Sequence, residues 1–116
     1  MDKNNRAKVL ETYNRYLNAF IEADMDAINE CIEYPLGYIG SDSVKMLNKF
    51  PIDPREWSEK TGWATSNAFE IEVVAVTEKK VHILIRNCRR LRADDSLIAE
   101  VSGFYAFKIT DTGWKM

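Results

Sequence analysis

The first quarter of the chain carries apolar residues at helical spacing. Within residues 5–22 an apolar side chain recurs every three or four positions, and Asn, Arg and Glu fill most of the places between. The apolar members are Val9, Leu10, Tyr13, Tyr16, Leu17, Phe20 and Ile21. This spacing predicts a long amphipathic helix with one buried face. Asp24 can cap a second, shorter helix, and Pro35 prevents that helix from continuing.

Residues 34–62 are predicted to form short elements. Residues 34–40 are expected to be extended. Ser41 and Asp42 are candidate caps for a further helical turn. Its inward-facing side chains would be Val44, Leu47 and Phe50. The sequence Asp53-Pro54-Arg55-Glu56 predicts the start of another helix, because an aspartate can cap it and a proline suits its first position.

After Gly62 the hydrophobic period changes from helical to alternating. Residues 68–77, 81–92 and 97–109 are rich in Val, Ile, Phe and Tyr, and short polar segments separate them. They predict three antiparallel strands in a meander, and residues 114–116 predict the start of a fourth. Helices followed by strands predict an α+β fold, with the N-terminal helices packed on one face of a curved antiparallel sheet.

Length and composition restrict the classes of protein that fit this chain. Its 116 residues suffice for a single domain, placed at residues 1–116, and 46% hydrophobic residues exclude intrinsic disorder. The formal net charge of −2 provides no basic field for nucleic acid. No segment has the apolar character of a secretory signal or a bilayer span, so we expect a cytoplasmic protein without a membrane partner. Cys31 and Cys88 are expected to be buried, reduced thiols, and no ligand spacing predicts a metal site.

Two short motifs and the order of the elements carry a resemblance to a known family. The motifs are Glu22-Ala23-Asp24-Met25-Asp26-Ala27-Ile28 and Asp111-Thr112-Gly113-Trp114-Lys115. Over nearly its whole length the chain resembles the nuclear transport factor 2-like superfamily. The resemblance implies a cystatin-like cone, in which the helices close over a strongly curved sheet to form an apolar pocket, and dimerisation through the sheet. Relatives usually continue the last strand beyond the position of Met116, which implies a shortened edge strand that opens one side of the pocket.

The superfamily contains both enzymes and binding proteins, so the fold leaves the function open. The resemblance to ketosteroid isomerases places Tyr16 at their helical tyrosine, and Tyr105 where their oxyanion-hole acid stands. Their catalytic base would fall at Ile39-Gly40-Ser41, where only Asp42 or Glu33 could substitute for it. Two of the three catalytic parts are therefore absent or displaced.

Two other reactions of the superfamily have weaker matches in this sequence. The Asp-Arg-Asp set of its epoxide hydrolases is most similar to Arg92-Ala93-Asp94, at a predicted hairpin tip whose acidic residues turn chemistry explains. Dehydratases of the scytalone type use paired histidines, and His82 is the only histidine present. Neither mechanism transfers in full.

The face of the sheet that carries His82 depends on one turn. A two-residue loop at residues 94–95 puts His82 and Arg86 on the face of Tyr105, whereas a three-residue loop at residues 94–96 turns that face over. The alternation at the start of the strand favours the second register, and the Asp-Asp tip favours the first. We favour the first, because it leaves apolar side chains on an outer face that a dimer could bury. Those side chains are Ile83, Ile85 and Phe104.

Under that register His82 and Arg86 would join Tyr16 and Tyr105 in a small polar cluster. The simpler alternative stays open, in which His82 is an ordinary strand residue and Arg86 pairs with a glutamate. The arginines of this strand also suggest anion binding, but alternation splits them over both faces, which favours a solvated strand end. These arginines are Arg86, Arg89, Arg90 and Arg92.

Aromatic residues between the helices and the sheet leave two interpretations open. They form either the mouth of a pocket for a flat apolar ligand or a plug that fills the cone. The residues concerned are Trp57, Trp63, Tyr34, Tyr38 and Phe50.

We therefore predict a homodimeric protein that binds a small apolar molecule in a pocket and uses no cofactor. The expected ligand-binding residues are Tyr16, Tyr38, Trp63, Arg86 and Tyr105. The alternative is an enzyme of the isomerase, polyketide cyclase or dehydratase type that acts on an apolar carbonyl compound. Its candidate catalytic residues are Tyr16, His82 and Tyr105.

Overall fold

The structure is a computed structural model that describes residues 2–39, 42–67 and 70–116. Its helices are α1 (Asp2–Ile21), α2 (Met25–Glu30) and α3 (Pro54–Thr61). Both predicted caps are confirmed, since Asp24 accepts a hydrogen bond from the Ala27 amide at 3.2 Å and Asp53 accepts one from the Arg55 amide at 3.0 Å. No helix among the described residues is long and apolar enough to cross a bilayer.

The described residues contain seven strands in two sheets. The strands are β1 (Leu36–Ile39), β2 (Val44–Leu47), β3 (Trp63–Asn67), β4 (Glu70–Val76), β5 (Lys80–Arg92), β6 (Leu97–Thr110) and β7 (Gly113–Lys115). β1 and β2 form a separate hairpin. In the larger sheet β3, β5, β6 and β7 are neighbours in that order, and β4 pairs with another part of β5. All pairs are antiparallel, and the predicted meander corresponds to β4, β5 and β6.

Residues 44–47 form a strand, so the helical turn predicted there is wrong. Val44 pairs with Ile39, and Leu47 pairs with Leu36. A strand ladder satisfies more backbone groups than a single helical turn, and the β-branched Val44 favours the extended state.

The strand β3 was not predicted. Its sequence, Trp-Ala-Thr-Ser-Asn, has no apolar alternation, so only its pairing with β5 reveals it. Three predicted boundaries lie outside the described residues: the end of the extended segment at Gly40, the cap at Ser41 and the strand start at Ala68.

The helices pack on the inner face of the curved sheet. From α1, the residues Val9, Tyr13, Tyr16 and Phe20 enter the core, and none is more than 9% exposed. The sheet contributes Val81, Ile83, Ile85, Phe107 and Trp114. The predicted α+β cone, with its N-terminal helices on a strongly curved antiparallel sheet, is therefore confirmed.

A bulge in β5 decides which of its side chains face the helices. Before the bulge, the inward pairs are Val81 with Phe107, Ile83 with Tyr105, and Ile85 with Gly103. After the bulge, Cys88 pairs with Val101 and Arg90 pairs with Ala99. The extra residue changes the parity of the strand, so odd-numbered positions face inward before it, whereas Cys88 and Arg90 face inward after it. The register with the three-residue loop therefore gives the observed orientation of β5 before the bulge, and the register with the two-residue loop gives the orientation after it.

The strand β7 covers only the end of β6. It pairs with residues 108–110, and residues 97–107 pair with no strand of the described chain on that side. The backbone at Met116 instead exchanges hydrogen bonds with Cys31 and Glu33, at 3.0 and 2.8 Å. Tyr105 therefore lies on a part of β6 that has a partner strand on one side only.

Candidate functional site

Three tyrosine rings meet on the concave face of the sheet, and we call them the tyrosine cluster. Tyr13 and Tyr16 are three residues apart on α1, which puts them on one helix face. Tyr105 points towards them from β6. Its ring centroid is 5.4 Å from that of Tyr13 and 6.2 Å from that of Tyr16. One helix, α1, and one strand, β6, thus position the cluster.

The ring of Tyr105 folds back over Gly103 on its own strand. A Cβ atom at position 103 would lie 3.3 Å from Cε2 of Tyr105 and 3.6 Å from its hydroxyl oxygen. Any residue larger than glycine at position 103 would therefore crowd the Tyr105 ring. The absence of a side chain at Gly103 leaves room for the Tyr105 ring in this position.

Burial keeps the cluster in its neutral form. It is the main cause that raises the pKa of Tyr13 and of Tyr16 far above the ordinary value, and the neighbouring phenols add to the effect. Burial also raises the pKa of Tyr105, while the charge of Arg90 opposes the rise at Tyr16 and Tyr105. At neutral pH each hydroxyl is therefore a hydrogen-bond donor.

The cluster hydroxyls have no hydrogen-bond partner among the described residues. In that same part of the chain, no buried side-chain nitrogen or oxygen lacks a partner. The three oxygens therefore border space that water can reach, and a ligand atom could replace the water.

Arg90 and Cys88 lie on the same face of β5 as the cluster. The guanidinium carbon of Arg90 is 4.9 Å from the ring centroid of Trp57, within the range of a cation–π contact. Cys88 is a half-buried free thiol, and burial raises its pKa, so it is a protonated and unreactive neighbour. Cys31 is also free and is fully buried, as expected.

A layer of larger aromatic side chains closes the cone next to the cluster. The ring of Phe20 packs edge-on against Trp63 at 5.1 Å, and Trp57 packs against Trp63 at 5.0 Å. Phe50 lies 6.0 Å from Tyr16. The Trp63 indole donates a hydrogen bond to the Ser66 hydroxyl at 3.1 Å, which fixes its orientation. We call these four residues, Phe20, Phe50, Trp57 and Trp63, the aromatic layer.

Two open depressions lie on the helical side of the molecule, away from the cluster. One of about 250 Å³ is formed around Asp24 and Asp53, and one of about 190 Å³ lies between α1 and α2 near Arg15. Neither is lined by a cluster or aromatic-layer residue. No group of three His, Cys, Asp or Glu side chains in the described ranges could hold a metal ion.

No protein-family model and no curated protein matches the sequence. Solved structures do match. A candidate aromatic ring hydroxylase from Novosphingobium aromaticivorans has a TM-score of 0.68 at 13% identity, over 99% of this chain and 85% of its own. A candidate dehydratase of the nuclear transport factor 2-like family from Streptomyces avermitilis has a TM-score of 0.62 at 12% identity, over 99% and 93%. A nuclear transport factor 2-like protein of unknown function from Shewanella oneidensis has a TM-score of 0.64 at 13% identity, over 95% and 92%.

The chain has the nuclear transport factor 2-like fold. This confirms the resemblance at the level of the fold, which is all that likeness at such low identity shows. In this fold the tyrosine cluster lies on the concave face, between the helices and the sheet, and Arg90 reaches Trp57 from the same face.

Four of the residues expected in the site lie close to one another. Tyr16 and Tyr105 belong to the cluster, and Trp63 belongs to the adjoining aromatic layer. Tyr38, on β1, is 38% exposed and close enough to Tyr105 to influence its pKa. The nuclear transport factor 2-like cone thus brings together these four aromatic residues.

The expected orientation of His82 and Arg86 is wrong. His82 pairs with Ala106, and its ring lies 5.5 Å from that of Phe104, which is 59% exposed on the outer face. Arg86 forms an ion pair with Glu72 at 2.8 Å, with both side chains about half exposed. The physical reason is the parity of β5, since the buried residues before the bulge are the odd-numbered ones.

Three residues of the site were missing from the set expected from the sequence. Tyr13 could have been found from its spacing of three residues from Tyr16. The favoured register puts Arg90 on the face of Tyr105, but the arginines of this strand were interpreted as a solvated strand end. Gly103 gives no such signal, because its role depends on a contact with Tyr105.

Proposed function

We propose that the chain binds a small, largely apolar molecule on the concave face of its sheet. The observation that supports this most strongly is the tyrosine cluster. Three neutral hydroxyl donors, without partners among the described residues, lie next to the aromatic layer, which Tyr16 contacts through Phe20 and Phe50. Apolar walls with a few convergent polar groups are typical of small-molecule sites.

The cluster is suited to an oxygen acceptor on the ligand. A phenol that stays neutral donates its proton to a carbonyl or similar oxygen, and the surrounding rings bury the rest of the molecule. An apolar carbonyl compound is therefore the ligand class that we propose.

Binding requires a rearrangement of the aromatic side chains, because these rings fill the space between helices and sheet. Phe50 is half-buried and Tyr38 is 38% exposed, whereas Trp63 is 3% exposed and hydrogen-bonded. Phe50 and Tyr38 are the side chains that we expect to move, since moving them breaks the fewest buried contacts.

A calorimetric titration with a panel of apolar carbonyl compounds tests the proposal. Tyr105→Phe keeps the ring and removes the hydroxyl, so we expect it to weaken binding about tenfold, the loss of about 1.4 kcal/mol of hydrogen bonding. Thr112→Val is the control, since it removes a hydroxyl from an exposed residue of the turn between β6 and β7. Equal binding by wild type and Tyr105→Phe would contradict the proposal.

The structure gives no support to the alternative of an isomerase, cyclase or dehydratase. Each of these reactions needs a base that moves a proton. Among the described residues, the groups that shift the pKa values of the cluster include no carboxylate and no imidazole, and each phenol stays protonated at neutral pH, so no phenolate is available to act as the base. We therefore propose no reaction at this site.

We also propose that two copies associate through the outer face of the sheet. The exposed apolar side chains Val74 and Phe104 lie there, next to the half-buried Leu84 and His82. The Glu72–Arg86 ion pair borders this apolar surface, which is the usual arrangement of an apolar interface centre and a polar rim.

Light scattering after size exclusion tests this association. We expect the wild type to be a dimer and Phe104→Asp to be a monomer, because a buried, unpaired carboxylate is costly. Val44→Asp is the control, since Val44 is 76% exposed on the β1–β2 hairpin. A monomeric wild type would contradict the proposed dimer.

A further inference from the structure

Arg90 is held on the concave face by its partners in the sheet. It is the central residue of a three-strand row, with Ser66 of β3 on one side and Ala99 of β6 on the other. Both neighbours are small, so they leave room above the sheet for the long arginine side chain. The half-buried guanidinium reaches Trp57 of the aromatic layer.

Arg90 has no acidic partner within 4.0 Å in the described ranges of the chain. There the one ion pair at this distance joins Arg86 and Glu72 on the outer face. The two arginines are four residues apart on one strand and differ in this respect: Arg86 is neutralised by a neighbour, whereas Arg90 faces neutral tyrosines and a tryptophan ring.

The contact with Trp57 does not use the hydrogen-bonding capacity of the guanidinium. A cation–π contact stabilises a charge by about 0.5–2 kcal/mol, but it leaves the N–H groups in the guanidinium plane unpaired. Those groups form a fork that matches a carboxylate in two parallel hydrogen bonds. A partly desolvated cation of this kind favours a ligand that brings the opposite charge.

We propose that the ligand of this site is a small aromatic carboxylate, whose acid group pairs with Arg90 and whose ring packs within the aromatic layer. The inference rests on the proposed function, because it names the class of molecule that the same site takes. The hydroxyls of Tyr16 and Tyr105 are the neighbouring hydrogen-bond donors, since the charge of Arg90 acts on both tyrosines. A flat ring suits the site because Trp57, Trp63 and Phe50 offer aromatic faces and edges.

Matched pairs of compounds test the charge requirement. Benzoate and 1-naphthoate are titrated by calorimetry beside benzamide and 1-naphthamide, which keep the ring and the carbonyl group but carry no charge. We expect each acid to bind about tenfold or more tightly than its amide, and this advantage to shrink as salt is added.

Variants of Arg90 and of the adjacent Arg89 test whether Arg90 is the residue that pairs with the acid group. Arg90→Gln is expected to abolish the advantage of acid over amide, and Arg90→Lys to keep part of it, since lysine retains the charge without the fork. Arg89→Gln is the matched control, because Arg89 is the next residue, is exposed, and lies opposite Glu100 of β6 in the strand pair. Circular dichroism and the melting temperature establish whether each variant is folded. If Arg90→Gln does not fold, the advantage of acid over amide is compared between the wild type and Arg90→Lys instead.

The outcomes separate the two proposals. If acids and amides bind equally well and Arg90→Gln changes neither, the site binds small molecules but the inference about charge is overturned. If no compound of either series binds, the proposed function fails together with the inference.

Discussion

A phenol that is buried among other phenols keeps its proton at a pH at which a free tyrosine loses it. Of the five tyrosines in the chain, Tyr13, Tyr16 and Tyr105 are in this position. The neutral state of the cluster is the property on which the proposed ligand chemistry depends, so it is the first to test.

We predict that these three tyrosines ionise late in the folded protein. Above pH 10 or so the unfolded chain releases each phenolic proton, while the folded chain retains it. The unfolded state then binds fewer protons, so the free energy of unfolding falls by about 1.4 kcal/mol per pH unit for each such tyrosine. Absorbance near 295 nm, recorded with and without denaturant, measures the difference. Titration of all five tyrosines together near pH 10 in the folded protein would contradict the burial described above.

We predict that Gly103→Ala destabilises the fold by about 1 kcal/mol, because its Cβ crowds the Tyr105 ring. Chemical denaturation measures the change. The cost should vanish when Tyr105→Ala is the background, since the crowded atoms are then absent. An equal cost in both backgrounds would show that Gly103 does not position the ring.

The sequence predicts some residues of the site and misses others for a physical reason. Tyr16 and Tyr105 follow from the resemblance to relatives, and Trp63 from its aromatic neighbours. Arg90 was not among the expected site residues, because the distribution of the strand's arginines over both faces favoured a solvated strand end, although the favoured register puts Arg90 on the face of Tyr105. Because the bulge in β5 changes the parity of the strand, His82 and Arg86 face away from Tyr105 and not towards it.

At the scale of elements, the bulge in β5 is the feature that most affects the site. Asn87 adopts a left-handed conformation there, with φ of +58°. Asparagine tolerates this conformation better than most residues, which makes position 87 sensitive to the side chain that it carries.

We predict that Asn87→Val lowers the free energy of unfolding by about 1–2 kcal/mol or more, and that Asn87→Gly is tolerated. Arg89→Val is the control, because it places the same side chain at an exposed position of the same strand. Urea denaturation measures all three. If Asn87→Val costs no more than Arg89→Val, the bulge is not strained at this residue.

The other errors at this scale also come from short elements. The β1–β2 hairpin has four residues in each strand, and β3 has five. Such segments are too short for periodicity to define them, and pairing with a partner strand decides their structure. The long helix α1 and the strands β4, β5 and β6 are predicted well because each carries many periods of its pattern.

At the scale of the whole molecule, the order of the elements is sufficient to predict the cone. The filling of its interior is not predictable in the same way. Aromatic residues such as Trp57 and Phe50 suit a pocket mouth and a plug equally well, and the contacts among Trp57, Trp63 and Phe20 favour the plug in the absence of ligand. Binding of a ligand therefore requires a rearrangement, and Phe50 and Tyr38 are the side chains that we expect to move.

An NMR titration of the ¹⁵N-labelled protein with 1-naphthoate tests the central claim most directly. We expect the largest chemical-shift changes at the amides of Gly103, Tyr105 and Arg90 and at the indole of Trp57. Changes confined to the depression around Asp24 and Asp53, or no changes at all, would contradict a binding site on the concave face.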